Sequence, residues 1–259
     1  MRIQRVRSKW AKTHALLADP AVRPFVPETR PFTRATVKEM LNRMGMVYVK
    51  PVNGTFGRGV IRVEKITGRD PHYFFQSGVR QFRFETFNEM FDKLLEVKKP
   101  KPYLVQQGIE LLKLEGRRFD LRVMVQRNLQ SEWETTGIIG RLAHPSKIVT
   151  NYHSGGTPMT LEDLMDGNIP KQYFSQYRNG LKKIGTMVAA ALTRKFPRLM
   201  EIGIDIAIDD QLRPWILEVN TLPDPYLFRK LPDPSVYRRI HRYAEHYGRF
   251  RRRKTRSKV

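Results

Sequence analysis

The chain has 259 residues, enough for one large domain or two lobes that bury most of their apolar surface. A composition of 40% hydrophobic, 28% charged and 10% aromatic residues excludes a fully disordered or collagen-like chain. With no cysteine, disulfides, thiol catalysis and cysteine-based zinc sites are excluded. No apolar run approaches about 18 residues and no secretory signal begins the chain, so we expect a cytoplasmic protein without a membrane span.

The net charge of +23 is concentrated at the two ends of the chain. Residues 1–12 carry five basic and no acidic side chains, and residues 229–259 carry twelve basic and two acidic ones. Such segments attract polyanions, and nucleic acid, acidic peptides or an anionic polymer would all fit. We therefore expect a basic lead-in over 1–30, a core over 31–232, and a basic C-terminal helix and tail over 233–259.

The predicted elements alternate irregularly between helix and strand. The first helix, in the segment PFTRATVKEMLNRMG, has Thr33 or Thr36 as its cap and Gly45 after its end. Helical periodicity recurs in two later segments, 87–97 and 175–196. Strands are predicted over 46–50, 60–63, 103–106, 119–126 and 133–142, and a hairpin over 201–220. This order favours an α+β fold of two lobes over a doubly wound parallel sheet.

The hairpin EIGIDIAIDDQLRPWILEVN carries the strongest chemical signal. Its isoleucines alternate onto one face, which places Asp205 on the other, and Glu218 and Asn220 share a face of the partner strand. A turn centred between Gln211 and Leu212 sets Asp205 opposite Glu218. Paired carboxylates repel unless a cation lies between them, and Mg²⁺ prefers such oxygen ligands. A solvated hairpin with scattered acids is the alternative.

A glycine-rich loop gives the second signal. Lys50 ends a strand and is followed by a segment containing Gly54, Gly57 and Gly59. Glycines let backbone amides approach a polyphosphate, and a lysine supplies a point charge for its oxygens. The loop is not a Walker A motif, because G-x-x-x-x-G-K-[ST] is absent. A plain tight turn would give the same pattern.

Together these segments resemble the ATP-grasp superfamily over nearly the whole chain. Further matches are YLVQQGI, similar to the hinge strand that meets adenine, the D-x-R element in RRFDLRV, the arginine of GIIGR, and IVTNYHSGG. The resemblance is closest to the endospore coat-associated YheC/YheD branch, on the short motifs K-W, P-E-T, V-K-P, V-Q-Q-G-I and L-E-V-N-T.

The resemblance implies a role for each matching residue. It implies an ATP-grasp core with a small nucleotide-binding lobe over about 46–105 and a metal and catalytic lobe over 106–232. Catalytic residues are Lys50, Arg122 and Arg141, and metal ligands for Mg²⁺ are Asp205, Glu218 and Asn220. Residues implied to contact ATP are Lys9 (with Lys12 as the alternative), Lys50, Gly54, Gly57, Gly59, Gln106, Gln107, Ile109, Asp120 and Asn151. Many members carry glutamate where Gln107 stands, and only eight residues precede Lys9 where ligases usually have a substrate-binding domain.

The implied activity is an ATP- and Mg²⁺-dependent carboxylate–amine ligase that forms an acyl phosphate on its way to a peptide or amino-acid product. No protein nucleophile is needed, so the lack of cysteine is no obstacle. A place in the spore coat follows from the same branch. The alternatives are a nucleic-acid- or polyanion-binding protein, which the basic ends suggest, and a structural coat protein with a vestigial ATP site.

Overall fold

The structure, a computed structural model, describes residues 3–54, 57–150 and 152–250, apart from the side chain of His153. It contains two antiparallel sheets, each covered by its own helices. In the described part of the chain no helix is both long and apolar enough to cross a membrane. The fold is therefore α+β, as the sequence predicts.

The first sheet has six strands in the order β1-β6-β2-β3-β4-β5. Two helices, α2 and α3, cover one face with Val37, Met40, Met90 and Leu94. Both helices begin at a threonine cap, Thr33 and Thr86, whose side-chain oxygen accepts a backbone N–H. The elements are β1 (Thr29–Pro31), α2 (Arg34–Met44), β2 (Met46–Pro51), β3 (Ile61–Ile66), β4 (His72–Ser77), β5 (Arg80–Phe84), α3 (Phe87–Val97) and β6 (Tyr103–Gln107).

The second sheet follows the order β10-β9-β8-β11-β12, with β7 paired to β8. The long helix α5 and the N-terminal helix α1 (Lys9–Leu17) contribute to the core on one face of this sheet, and α6 packs on the other. The remaining elements are β7 (Lys113–Leu114), β8 (Arg117–Arg127), β9 (Trp133–Leu142), β10 (Thr157–Met159), α4 (Leu161–Met165), α5 (Lys171–Lys195), β11 (Glu201–Ile208), β12 (Pro214–Asn220) and α6 (Pro234–His246).

Alternation along β8 and β11 decides what each face of the second sheet presents. Leu121, Val123, Ile204 and Ile206 all join the core beneath α5. Their neighbours at the intervening positions, including Asp120, Arg122 and Asp205, therefore point to the opposite face, where the site lies. Burial of one face thus fixes the orientation of the polar residues on the other.

The predicted pairing of Asp205 with Glu218 in the last hairpin is confirmed, although the turn is not where we expected it. Asp205 pairs with Glu218, but Ile206 pairs with Ile216, so a β-bulge at Leu217 shifts the register by one residue. The turn is consequently centred on Gln211, not between Gln211 and Leu212. The bulge restores the pairing of the two carboxylates.

Several described elements of the N-terminal half were not predicted from the sequence, among them helix α1, strand β1 and the β4–β5 hairpin. Helix α1 was not predicted because its buried face includes Lys12 beside Ala15 and Leu16, so its pattern does not look apolar. Strand β1 has only three residues. The β4–β5 hairpin was missed because only Phe75 of β4 is fully buried there, with polar residues around it.

Candidate functional site

The site lies where the first sheet meets strands β11 and β12 of the second. The start of α1 and the end of β6 contact β12 there, and Lys9 links the glycine-rich loop to the same strand. The Nζ of Lys9 donates to the backbone oxygen of Gly54 at 2.9 Å and to Glu218 Oε1 at 2.5 Å. The side-chain amide of Gln106 donates to the Leu217 carbonyl at 3.5 Å. The glycine-rich loop after β2, the end of β6 and the start of α1 are thereby held against β12.

Strand pairing places charged side chains in a row across the second sheet. Asp205 lies between Arg122 on β8 and Glu218 on β12, as the direct partner of both. Two residues before Arg122, and therefore on the same face of β8, Asp120 is the direct partner of Arg141 on β9. Residues that face each other in an antiparallel pair are close enough to form ion pairs, so the row follows from the register.

The arginines and aspartates of this row form a buried ion cluster. Arg122 Nε donates to Asp205 Oδ1 at 2.6 Å, and Arg141 Nη2 lies 3.2 Å from Asp205 Oδ2. Arg141 also binds Asp120 through two hydrogen bonds of 2.8 and 2.6 Å. The residues are 2–7% exposed, so the pairing is shielded from water. Burial raises the pKa of Asp205, but the charges of Arg122 and Arg141 outweigh it and hold the pKa below its ordinary value.

Two lysines, the buried Lys12 and the half-buried Lys50, lie near the carboxylates of Asp205 and Glu218. Burial lowers the pKa of Lys50 to about 8, although Glu218 opposes the shift. The pKa of Lys12 falls to about 8 for the same reasons. Lys50 donates to the side-chain oxygen of Gln106, and Lys12 Nζ donates to the Val6 carbonyl at 3.1 Å.

Two cavities open on this row, and they share Gly57, Asp205 and Glu218 as a common wall. We call the smaller one, of about 80 Å³, the apolar cavity; Lys50 and Asp120 also reach it. Its apolar lining consists of Tyr48, Val60, Ile109, Leu111, Ile148, Val149 and Leu217. We call the larger one, of about 620 Å³, the basic cavity, because six cations line it: Arg5, Arg7, Lys12, Arg122, Arg141 and Arg249.

Most residues singled out from the sequence come together here. The apolar cavity has Lys50, Gly57, Ile109 and Asp120 in its lining, and the basic cavity has Gly54, Arg122, Arg141 and Asn220. Lys9, Lys50 and Gln106 border a third space of about 20 Å³ next to Glu218. Lys12 borders that space too, so both lysines considered for the N-terminal segment reach the site.

Other predicted residues lie elsewhere. Gln107 faces away from these cavities, and its Oε1 accepts the Glu28 N–H at 3.3 Å. Gly59 has φ +79 and packs against the hydroxyl of Tyr103, so it shapes the loop without lining these cavities. Asp120 is different, since it lines the apolar cavity, but both of its carboxylate oxygens are bound to Arg141. Asn151 is outside the described residues.

Several residues that line the cavities could not be singled out from the sequence. Arg5 and Arg249 stand in the basic ends, which predicted a general attraction for anions but no defined pocket. Tyr48 and Leu217 read as ordinary strand residues, yet they close the apolar cavity. They are brought together only by the packing of the two sheets.

A metal ion would find a suitable but incomplete set of ligands. Asp205, Glu218 and Asn220 all line the basic cavity, and they offer two carboxylates and an amide oxygen. Among the described residues, no three His, Cys, Asp or Glu side chains cluster tightly enough to hold a metal. The donor set therefore fits a cation that takes its remaining ligands from water or phosphate, as Mg²⁺ does.

The two antiparallel sheets, with lysines, arginines and paired carboxylates where they meet, have the architecture of an ATP-grasp protein. A structure of carboxyaminoimidazole ribonucleotide synthase from Aspergillus clavatus, complexed with ATP, superposes with a TM-score of 0.51 at 12% identity, over 85% of this chain and 45% of that one. At this identity the likeness shows the fold alone. It agrees with the α+β ATP-grasp fold expected from the sequence.

The particular family is identified by sequence. The family model described as YheC/D like ATP-grasp matches residues 4–250, and the chain belongs to this family. It is 27% identical to the endospore coat-associated protein YheD of Bacillus subtilis over 235 residues, and 26% identical to YheC of the same organism over 220. The matches cover 85% and 83% of this chain but 49% and 59% of those relatives, so the chain spans about half of their length.

Proposed function

We propose that this chain is an ATP- and Mg²⁺-dependent ligase that joins a carboxylate to an amine. The single observation that carries the proposal is the shared wall of Asp205 and Glu218, with an apolar cavity on one side and a basic cavity on the other. Such a wall would hold the phosphates between a base-binding space and a substrate-binding space. Family membership supports the same reading.

In this proposal the apolar cavity takes the adenine end of ATP. Tyr48, Ile109 and Leu217 would contact the base, and the neighbouring Lys50 would meet the phosphates as a point charge. Lys9 borders the same region and holds the backbone of Gly54 in place. The cavity is narrow, at about 80 Å³, so nucleotide binding would require the glycine-rich loop to move outward.

Asp205, Glu218 and Asn220 would hold Mg²⁺, which supplies charge neutralisation at the phosphates when bound. In the described structure the two carboxylates are instead bound by Arg122, Arg141 and Lys9. A cation would therefore compete with these side chains for the oxygens. Release of Lys9 and the arginines would leave them free to contact phosphate and substrate.

The proposed reaction has two steps. A carboxylate oxygen of the first substrate attacks the γ-phosphorus of ATP, the bond to the bridging oxygen breaks, and ADP leaves. An amine nitrogen then attacks the acyl carbon, inorganic phosphate leaves, and the amine loses one proton to solvent. Arg122 and Arg141 would orient the carboxylate and stabilise the spreading phosphoryl charge, while Lys50 stabilises the departing ADP.

Binding of ATP is the first test. Adding ATP with Mg²⁺ to the full chain should raise the melting temperature, and the Glu218→Gln variant should respond less. Glu132→Gln, an exposed acid of the β8–β9 turn, is the matched control. Wild-type protein that shows no stabilisation would rule out the ligase and leave the polyanion-binding alternative. Release of ADP on addition of acidic peptides or amino acids then tests catalysis.

We further propose the division of the chain into a lead-in over 1–30, a core over 31–232 and a basic end over 233–259, with a partner attracted by the basic end. Arg249 belongs to the basic cavity, so the deletion that tests the tail should start at residue 251. It should weaken binding of an anionic polymer in a salt-dependent manner and leave ATP binding unchanged. Unchanged polymer binding would refute this role.

Association with an endospore coat is a proposal drawn from the names of the two relatives. The cytoplasm, expected from the sequence, is the alternative location. Fluorescent tagging of the chain in a sporulating host would separate the two, because coat association requires a ring around the forespore.

A further inference from the structure

The basic cavity has a second positive centre, built from the two ends of the chain. Glu201, at the start of β11, is fully buried and binds Arg5 at 2.7 Å and Arg249 at 2.6 Å. The hydroxyl of Tyr247 donates to the same carboxylate at 2.7 Å and accepts from Gln126. A buried carboxylate with several charge-assisted bonds keeps its partners in fixed positions.

This centre has more positive than negative charge. Arg5 and Arg249 share the single charge of Glu201, and Arg7, exposed nearby, forms no ion pair within the described part of the chain. Counting all charged residues that line the cavity, six are basic and three are acidic. The cavity is therefore electrostatically suited to an anion with more than one charge.

The spacing of the two centres follows from strand geometry. Glu201, Gly203 and Asp205 alternate onto the same face of β11, so the Glu201 centre and the Arg122–Asp205 centre are four residues apart, about 13 Å along the strand. Between them, the absence of a side chain at Gly203 leaves room for the side chain of Arg122. A Cβ there would lie 2.7 Å from Pro223 and 3.2 Å from the Arg122 side chain.

The edge of the same cavity is apolar. Of the seven large hydrophobic side chains exposed among the described residues, Tyr152, Leu222 and Tyr226 line this one cavity. Leu222 is 64% exposed and Tyr226 48%. Exposed apolar groups beside a charged pocket are typical of ligand-binding surfaces, and here they would contact the uncharged part of an extended ligand.

We propose that the basic cavity binds an acidic peptide through two anionic groups. This inference rests on the proposed ligase function, because one carboxylate, at Arg122 and Arg141, would be the one that is activated. The second, about four residues away in an extended chain, is held by Arg5, Arg7 and Arg249. The apolar edge contacts the backbone and side chains between them. The Glu201 centre therefore selects substrates by the position of a second acid.

The test compares two peptides that differ only in one charge. Each has about five residues, an acetylated N-terminus, glycines in the middle and a free C-terminal carboxylate, and the first residue is glutamate in one and glutamine in the other. Calorimetry on the full chain, with and without ADP and Mg²⁺, should show about tenfold tighter binding of the glutamate peptide. The preference should shrink as salt is added.

Variants then locate the preference. Arg7→Gln should reduce the preference at least threefold without loss of stability, since Arg7 is exposed and unpaired among the described residues. Arg69→Gln, an exposed arginine between β3 and β4 that does not line the cavities described here, removes the same charge and should have no effect.

The possible results separate this inference from the ligase proposal. Equal binding of the two peptides, no binding of either, or equal loss in both arginine variants would overturn the second centre. A clear preference for the glutamate peptide in a chain that ATP does not stabilise would instead keep the centre and refute the ligase. Stabilisation by ATP without a preference for the glutamate peptide would instead keep the ligase proposal and refute the second centre.

Discussion

The two walls of the cleft carry positive charge in different ways. On the second sheet, Arg122 and Arg141 are each bound to an aspartate, so their charges are balanced within the wall. On the side of the first sheet and α1, Lys50 and Lys12 have no carboxylate partner within ion-pair distance among the described residues. The pKa of both lysines falls to about 8, because burial outweighs the attraction of Glu218.

This difference assigns different physical tasks to the two walls. A guanidinium stays charged at any physiological pH, and its bidentate pairing fixes its orientation. We call Arg122 and Arg141 with their aspartates the arginine wall. It is therefore preorganised and contributes to the stability of the fold. We call Lys12 and Lys50 the lysine wall. Their positive charges are unfavourable in the empty cleft and become favourable when a polyanion binds. The lysine wall should contribute mostly to binding.

The largest expected effect comes from breaking the arginine wall. Asp120→Asn removes the bidentate partner of Arg141 and leaves a buried cation partly uncompensated. We expect the free energy of unfolding to fall by about 3–5 kcal/mol. Chemical denaturation with urea, followed by circular dichroism, measures the change.

Asp70→Asn is the matched control for this variant. Asp70 pairs with Arg83 on the surface, where the two side chains are 68% and 57% exposed, so its loss should cost less than about 1 kcal/mol. Equal destabilisation by the two variants would contradict a structural role for the arginine wall.

The second prediction concerns the lysine wall. Lys50→Met keeps most of the side-chain volume but removes the charge, so it should weaken ATP binding by about 10- to 100-fold, the equivalent of about 1.5–3 kcal/mol. The same variant should be as stable as wild type or more so, since it buries no charge. Titration calorimetry and urea unfolding give the two values, and the exposed Lys99→Met is the control. Unchanged affinity would show that Lys50 does not contact nucleotide.

The third prediction uses pH. With a pKa of about 8, the charged fraction of Lys50 falls from about three quarters at pH 7.5 to about one tenth at pH 9, so ATP affinity should fall by several-fold. Stability of the empty protein should change in the opposite direction. Lysines whose pKa is lower in the folded state bind fewer protons there than when unfolded, so their contribution to stability rises with pH above about 8.

Lys50→Met isolates the pH effect from other groups. The difference between the pH profiles of wild type and variant, measured for both affinity and unfolding from pH 7.5 to 9, should show the two opposite slopes. Parallel profiles would mean that Lys50 does not titrate in this range.

The sequence could predict the second sheet better than the first. Strands β8, β9 and β11 are long and were predicted as strands. The pairing of Asp205 with Glu218 was predicted too, although it depends on a bulge at Leu217 that the sequence does not show. The sequence could not predict that Arg122 pairs with Asp205, because that contact depends on β8 lying next to β11, more than eighty residues away. Sequence neighbours alone do not reveal which strands become adjacent.

The same limit applies to the chain ends. Their charge was visible in the composition, but the sharing of Glu201 by Arg5 and Arg249 requires both ends to fold onto one strand. The position of Gln107 shows a related limit. Its position in a motif suggested a nucleotide contact. In the structure its side-chain oxygen accepts the backbone N–H of Glu28, the residue before β1.

The smallest effect should come from the glycine-rich loop. Gly59 has φ +79, and a Cβ there would lie 2.9 Å from the Tyr103 hydroxyl, which also accepts the Lys99 N–H. Gly59→Ala should therefore destabilise the protein by about 1–2 kcal/mol. Gly78→Ala has a similar φ of +64 but open space around the new methyl group, so it reports the backbone strain alone. The difference between the two melting temperatures measures the contact with Tyr103. If that difference is zero, the loop yields freely to the added methyl group, and the contact does not hold the loop against the first sheet.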